Sequence, residues 1–121
     1  MGSTGQDRPS LAAMLRFDPT QAAGSRCITS YGIATVHRTG VGVFVVTLGT
    51  AILGKAVALT GAWDAAGTLA NKVCVQFDTT TQLTVRTYID GDASADDPAD
   101  NEFHLAVFQN VPASVVVDTT V

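Results

Sequence analysis

One stretch of the chain is close to a phosphate-binding motif. Residues 49–56 (GTAILGKA) match the pattern G-x-x-x-x-G-K-[ST] at every position but the last. In that motif backbone N–H groups at the start of a helix hold the phosphate, and the Ser or Thr hydroxyl binds Mg²⁺. Ala56 lacks the hydroxyl, and residues 57–61 (VALTG) have the composition of a strand. We therefore expect a connecting loop here and no nucleotide site.

An acidic stretch, residues 90–102, has the residue types of a calcium site. Asp90, Asp92 and Ser94 match the first alternating oxygen ligands of a calcium loop. Ala95 replaces the glycine that the loop needs for its turn, and Asn101 replaces the bidentate glutamate. The sequence favours a solvated acidic loop between strands, with a weak cation site of another kind as the alternative.

The remaining chemistry-bearing side chains are few and scattered. His37, His104, Cys27 and Cys74 show no spacing typical of metal ligands, so we expect structural histidines and buried free thiols. No G-x-S-x-G turn is present, and no Ser, His and acid trio can be chosen by spacing. Trp63 is expected to anchor the chain against its core or a partner, with stacking on a sugar as the alternative. We predict no enzyme activity, no cofactor and no metal.

The low charge of the chain indicates which partners it suits. Charged residues are 15% of the 121 residues, against about 25% in an average soluble domain. The basic residues stand singly, which argues against nucleic acid, and no apolar run reaches the ~20 residues of a membrane span. A surface with few charges suits contact with other protein, and the start of the chain indicates a protein used without export.

Short Thr- and Val-rich runs, separated by Gly, Asn and Asp, predict β-structure from Arg26 onward. We predict an all-β fold: a single antiparallel β-sandwich or small barrel of about seven strands, formed by residues 26–121. The predicted strands are residues 26–38, 41–49, 55–61, 72–78, 82–90, 102–109 and 113–118.

The strand at residues 41–49 is apolar on both faces. One face carries Val41, Val43 and Val45, and the other carries Phe44, Val46 and Leu48. One face of such a strand belongs in the core, and the other needs a cover. The cover is either the N-terminal segment of the same chain or a second subunit. In the latter case the predicted subunit interface consists of Val41, Val43, Phe44, Val45 and Val46.

Residues 1–25 are predicted to form an extended N-terminal arm. Within it, residues 10–16 have the apolar spacing of one short helix, with Ser10 as the cap. So short a helix is marginal unless it docks on a neighbour. We therefore predict that the arm binds a partner, with Leu11, Met14, Leu15 and Phe17 as the contact residues.

Residues 31–48 resemble a pattern found in small β-structured virion proteins of tailed bacteriophages. The pattern is GI-x-(S/T)-V-x-R-x-G-x-G-x-(Y/F)-x-V-T-(F/L), and it begins here at Gly32 and ends at Leu48. It occurs in capsid decoration (cement) proteins and in fibre modules, and it covers roughly a seventh of this chain.

The resemblance implies a non-catalytic virion structural protein, assembled in the host cytoplasm and commonly a homotrimer. Its partner would be the major capsid protein lattice, which it would stabilise from outside, with neither nucleic acid nor membrane involved. A tail or head fibre module that contacts the host surface is one alternative. A free carbohydrate-binding β-sandwich is another.

Overall fold

Nine β-strands make up the regular secondary structure of the residues that the computed structural model describes, which are 9–62, 71–90, 96–112 and 116–121. They are β1 (Ser10–Phe17), β2 (Cys27–Tyr31), β3 (Ile33–Gly40), β4 (Val43–Leu48), β5 (Val57–Ala62), β6 (Asn71–Phe77), β7 (Gln82–Asp90), β8 (Asp96–Pro98) and β9 (Phe103–Gln109). The predicted all-β class is confirmed. The predicted number of about seven strands is not, since the described residues contain nine.

The strands form two antiparallel sheets. The first sheet has the order β2-β1-β9-β5, and the second has the order β3-β4-β7-β6 with β8 paired to β7. All the pairings are antiparallel. The central pair of the first sheet is β1 with β9, and that of the second sheet is β4 with β7; each joins strands that are far apart in sequence. Strands β2 and β5 are the edges of the first sheet.

Alternate residues of the central strands form one core between the two sheets. The rings of Phe17 in β1, Phe44 in β4 and Phe103 in β9 meet with centroids 5.7 Å apart for both pairs that include Phe17 and 5.4 Å apart for the third. Buried aliphatic side chains surround them: Ala13, Leu15, Leu105 and Val107 from the first sheet, and Val46, Leu48, Leu83 and Val85 from the second. The sheets thus pack face to face, and each keeps an outer face.

Residues 10–16 are not the predicted helix, because they belong to β1. This strand lies between β2 and β9 and makes backbone hydrogen bonds to both. An isolated helix of this length lacks tertiary support, whereas the strand finds a partner on each side. An arm reaching away from the domain is therefore not confirmed over Ser10–Phe17; residues 1–8 lie outside the described part.

The predicted strand at residues 26–38 is two strands that belong to different sheets. The chain crosses from β2 to β3 at Gly32, which has φ of 69°. A Cβ atom at this position would lie 2.3 Å from the carbonyl oxygen of Ala12, so only glycine fits the crossing. Of the predicted strand at residues 113–118, residues 116–118 are not in a strand and residues 113–115 lie outside the described part.

The turn between β1 and β2 is organised by Asp18, which is 8% exposed. Its Oδ1 accepts hydrogen bonds from the N–H of Thr20 at 3.0 Å and the Thr20 hydroxyl at 2.6 Å, and its Oδ2 accepts one from the Gln21 side chain at 3.0 Å. Burial acts to raise the pKa of Asp18, but these bonds outweigh it and hold the pKa below its ordinary value. The turn therefore depends on an ionised carboxylate.

Replacing Asp18 with alanine should lower the free energy of unfolding by about 1–3 kcal/mol near neutral pH, because three donors lose their acceptor. A depressed folded pKa means that this contribution is complete above the unfolded pKa and is lost as the pH falls through the folded pKa. Urea unfolding of both proteins near neutral pH and at pH about 2 measures the difference, which should narrow in acid. An equal difference at both pH values would contradict a role for the charge.

Candidate functional site

The four residues predicted to bind a partner separate onto the two faces of β1. Leu15 is 1% exposed and Phe17 is 9% exposed, so both lie in the core of their own chain. Leu15 is therefore not available as a surface contact, and that part of the prediction is wrong, whereas Phe17 keeps a small exposed fraction and lines two cavities at the side of the domain. Leu11 and Met14 are 38% and 41% exposed on the outer face of the first sheet. Of the four residues, these two are positioned to contact another molecule on that face.

The five residues predicted to form a subunit interface separate in the same way. Phe44 and Val46 are fully buried in the core, which removes them from any surface. Val43 and Val45 are half-buried on the outer face of the second sheet, and Val41 is exposed in the turn before β4. Val43 lies opposite Arg86 of β7, and Val45 lies between His37 of β3 and Thr84 of β7. The apolar area on this face is therefore narrow and flanked by polar side chains.

A continuous exposed apolar surface lies on the outer face of the first sheet; we call it the outer apolar face. Strand register places its residues in rows that cross the sheet. One row runs Leu59, Ala106, Met14 and Tyr31 over all four strands, and a second runs Val57, Phe108 and Leu11. Leu59 and Tyr31 are 58% and 57% exposed. These two rows place apolar side chains from strands that are far apart in sequence on one continuous surface.

Small residues shape a depression in this face. Ala106 lies between Met14 and Leu59 in the first row, and Gly61 follows Leu59 by two positions on β5. A Cβ atom at Gly61 would meet nothing within 4 Å. The depression has a volume of ≈ 380 Å³ and is walled by Met14 and Leu59. A partner side chain can therefore sit between them.

A third row, at one end of the depression, is polar. It runs Gly61, His104, Arg16 and Thr29 across the sheet. The Nε of Arg16 donates to Oε2 of Glu102 at 2.5 Å, and Nε2 of His104 lies 3.8 Å from the same oxygen. The Glu102 side chain is 10% exposed, whereas those of Arg16 and His104 are 38% and 46% exposed. The face thus has an apolar centre and a charged end, which gives a bound partner a direction.

The motif-like stretch at residues 49–56 is a closed loop with no phosphate cradle. The N–H of Ile52 donates to the carbonyl of Thr80, and the N–H of Leu53 donates to Oε1 of Gln109. Strand β5 follows where the motif would need a helix. Two of the backbone donors that would face a phosphate are therefore already bonded within the chain.

The other candidate chemical groups do not come together in the described residues. No cluster of three or more His, Cys, Asp or Glu side chains suited to a metal is found there. Cys27 and Cys74 are free thiols, but both are exposed, so the prediction that they are buried is wrong. Trp63 and residues 91–95 of the acidic stretch lie outside the described part. No helix long and apolar enough to span a membrane occurs in the described ranges.

The chain was compared with family models, curated proteins and solved structures. None of them matches it. The resemblance of residues 31–48 to phage virion proteins therefore gains no support from these comparisons and stays a prediction. Sequence reasoning had singled out Leu11 and Met14 but missed Leu59, Ala106 and Tyr31, because the row that joins them exists only once the strands are in register.

Met14 and Leu15 are neighbours on opposite faces of β1 and provide a test of the outer apolar face. Replacing Leu15 with alanine should cost about 2–5 kcal/mol of unfolding free energy, because it leaves a cavity in the core. Replacing Met14 with serine should change that free energy by no more than about 0.5–1 kcal/mol. Chemical denaturation measures both. Equal losses would mean that the outer face is packed against something in the isolated chain.

Proposed function

We propose that this protein is a non-catalytic structural protein that attaches to a larger protein assembly through its outer apolar face. The observation that carries the proposal is the row formed by Leu59, Ala106, Met14 and Tyr31, which is accessible across four strands of a stable sheet. Exposed contiguous apolar surface on a soluble domain is typical of a protein contact site. A charged fraction of 15% makes the surrounding surface easy to desolvate as well.

The assembly that fits best is the capsid of a tailed phage, with this chain as a decoration protein on its outside. The resemblance of residues 31–48 supports this choice, and so does an all-β fold in which one sheet has an exposed apolar face. Other parts of the proposal are a homotrimeric state and a location in the virion. A shell offers many identical binding sites, so that several linked copies can attach together although the contact of each copy is small.

The size of the face explains why a repeating partner is needed. Four strands spaced ~4.8 Å apart and three rows spaced ~6.6 Å apart cover roughly 400 Å², whereas a standard interface buries about 800 Å² on each partner. The outer apolar face is therefore the centre of a larger contact. A single copy is expected to bind weakly, and attachment of several linked copies multiplies the effect without new contacts.

The charged end of the face gives specificity. Arg16 is held by the carboxylate of Glu102, so its guanidinium has a fixed position beside the depression. Charges at the edge of an interface select the partner and its orientation more than they add affinity. We expect the partner to present an apolar side chain to the depression and an acceptor to Arg16.

Leu59→Asp tests the proposal, because it puts a charge at the wall of the depression without touching the core. Purified chain is mixed with capsids of the phage or prophage whose genome encodes it, and bound protein is measured after sedimentation. The wild-type chain should sediment with the shells, and Leu59→Asp should weaken binding by at least ~tenfold, equivalent to about 1.4 kcal/mol.

Gln76→Asp is the matched control, since it adds the same charge to an exposed position on β6 of the second sheet. It should bind as the wild type does. The proposal fails if the wild-type chain stays in the supernatant, or if Leu59→Asp binds as well as Gln76→Asp.

A further inference from the structure

The two sheets meet differently along their two sides. On one side β5 and β6 lie against each other. On the opposite side β2 and β3 are edge strands, and among the described strands β2 pairs with β1 and β3 pairs with β4. Gly32 alone joins β2 to β3. The two edge strands therefore diverge from this residue, and their outer backbone N–H and C=O groups can accept a further strand.

A groove lies between these edge strands; we call it the edge groove. It consists of two adjoining cavities of ≈ 340 Å³ and ≈ 350 Å³, both lined by Phe17, Arg26 and Val36. Phe17 and Val36 give the groove an apolar floor that continues the core. Arg38 also lines it, with its side chain 48% exposed. The edge groove thus has an apolar floor and a polar rim, on which the carboxylate of Asp100 pairs with Arg38.

The C-terminal segment, residues 116–121 (VVDTTV), has the composition that such a groove requires. Val and Thr are among the strongest strand formers, yet this segment is in no strand of its own chain. Val117 is 82% exposed, and Val121 is fully exposed. In an extended conformation Val117 and Val121 lie on one side of the segment and Asp118 on the other.

We propose that the C-terminal segment of one copy of this chain inserts as a β-strand into the edge groove of a second copy, pairing with β3. Val117 and Val121 then cover the floor formed by Phe17 and Val36. The eight residues of β3 are enough to pair with all six residues of the segment, whereas β2 has only five residues. Such β-strand addition obtains affinity from backbone hydrogen bonds and specificity from alternate side chains.

Charge favours this occupant over an unrelated apolar strand. The Asp118 carboxylate faces the rim, where Arg26 and Arg38 lie. Nε of Arg26 donates to the carbonyl of Gln21 and Nε of Arg38 donates to Asp100, each at 2.9 Å. A guanidinium has five N–H donors, so each arginine retains donors that can reach a further carboxylate.

Exchange of this segment can produce a closed oligomer. The segment and the edge groove are different surfaces of one chain, so each copy can give one strand and accept another. Such a contact forms a ring when the rotation between copies closes, and a trimer is one of the rings allowed. The proposal uses neither Met14 nor Leu59, so it stands or falls separately from attachment to a shell.

Cys27 lies in the edge groove and is exposed, which provides a direct test. An acceptor chain carries Cys74→Ser and keeps Cys27; a donor chain carries Cys27→Ser, Cys74→Ser and Val117→Cys. The two are refolded together from urea and treated with oxidised glutathione. Disulfide-linked heterodimer should form at least ~tenfold faster than with a control donor that carries Thr50→Cys in place of Val117→Cys, because docking raises the effective concentration.

A second measurement uses a variant that cannot disturb the core. Val117→Asp should convert the oligomer to monomer in size-exclusion chromatography with light scattering, while the far-UV circular dichroism spectrum of the domain stays the same. Thr120→Asp, on the opposite side of the segment, should remain oligomeric. Equal bridging rates for the two donors, a wild-type chain that is monomeric at every concentration, or an oligomer that survives Val117→Asp would each overturn the proposal.

Discussion

The antiparallel pairing of β1 with β9 is the interaction on which the rest of the structure depends. It joins the start of the described chain to its last strand and forms the centre of the first sheet. Inward side chains of this pair supply Phe17 and Phe103, whose rings meet Phe44 of the second sheet. Outward side chains of the same pair supply Met14, Ala106 and the Arg16–His104 row. Core and candidate site are thus two faces of one ladder, and its register fixes both.

Strict alternation made some elements predictable from sequence. In β7 the pattern Leu83, Thr84, Val85 and Arg86 has period two, and the structure buries Leu83 and Val85 as this pattern predicts. The all-β class follows from many such runs. The position of each strand within a sheet does not, because pairing partners such as Met14 and Ala106 carry no local signal for one another.

Residues 10–16 have the apolar spacing of a helix although they form part of strand β1, and the reason is physical. The register of this strand with β9 shifts between Leu11 and Ala13, so Leu11 and Met14 share the outer face although they are three residues apart. This spacing is also that of a helix face. The inward residue at the start of the alternation is Ala13, whose small side chain does not identify a core position. A strand with one irregularity therefore has a helical pattern of apolar residues.

The long reach of the β1–β9 pairing also determines how the chain can acquire its structure during synthesis. The ion pair of Arg16 with Glu102 joins residues 86 positions apart, and all of β9 follows Glu102. Strands β3, β4, β6 and β7 of the second sheet are synthesised before β9 and leave the ribosome ahead of it. That sheet can form early, whereas β1 lacks one of its two neighbours until translation of this region is nearly complete. Pairings of such high contact order fold slowly, and until then the nascent chain carries an unpaired central strand for a chaperone to shield.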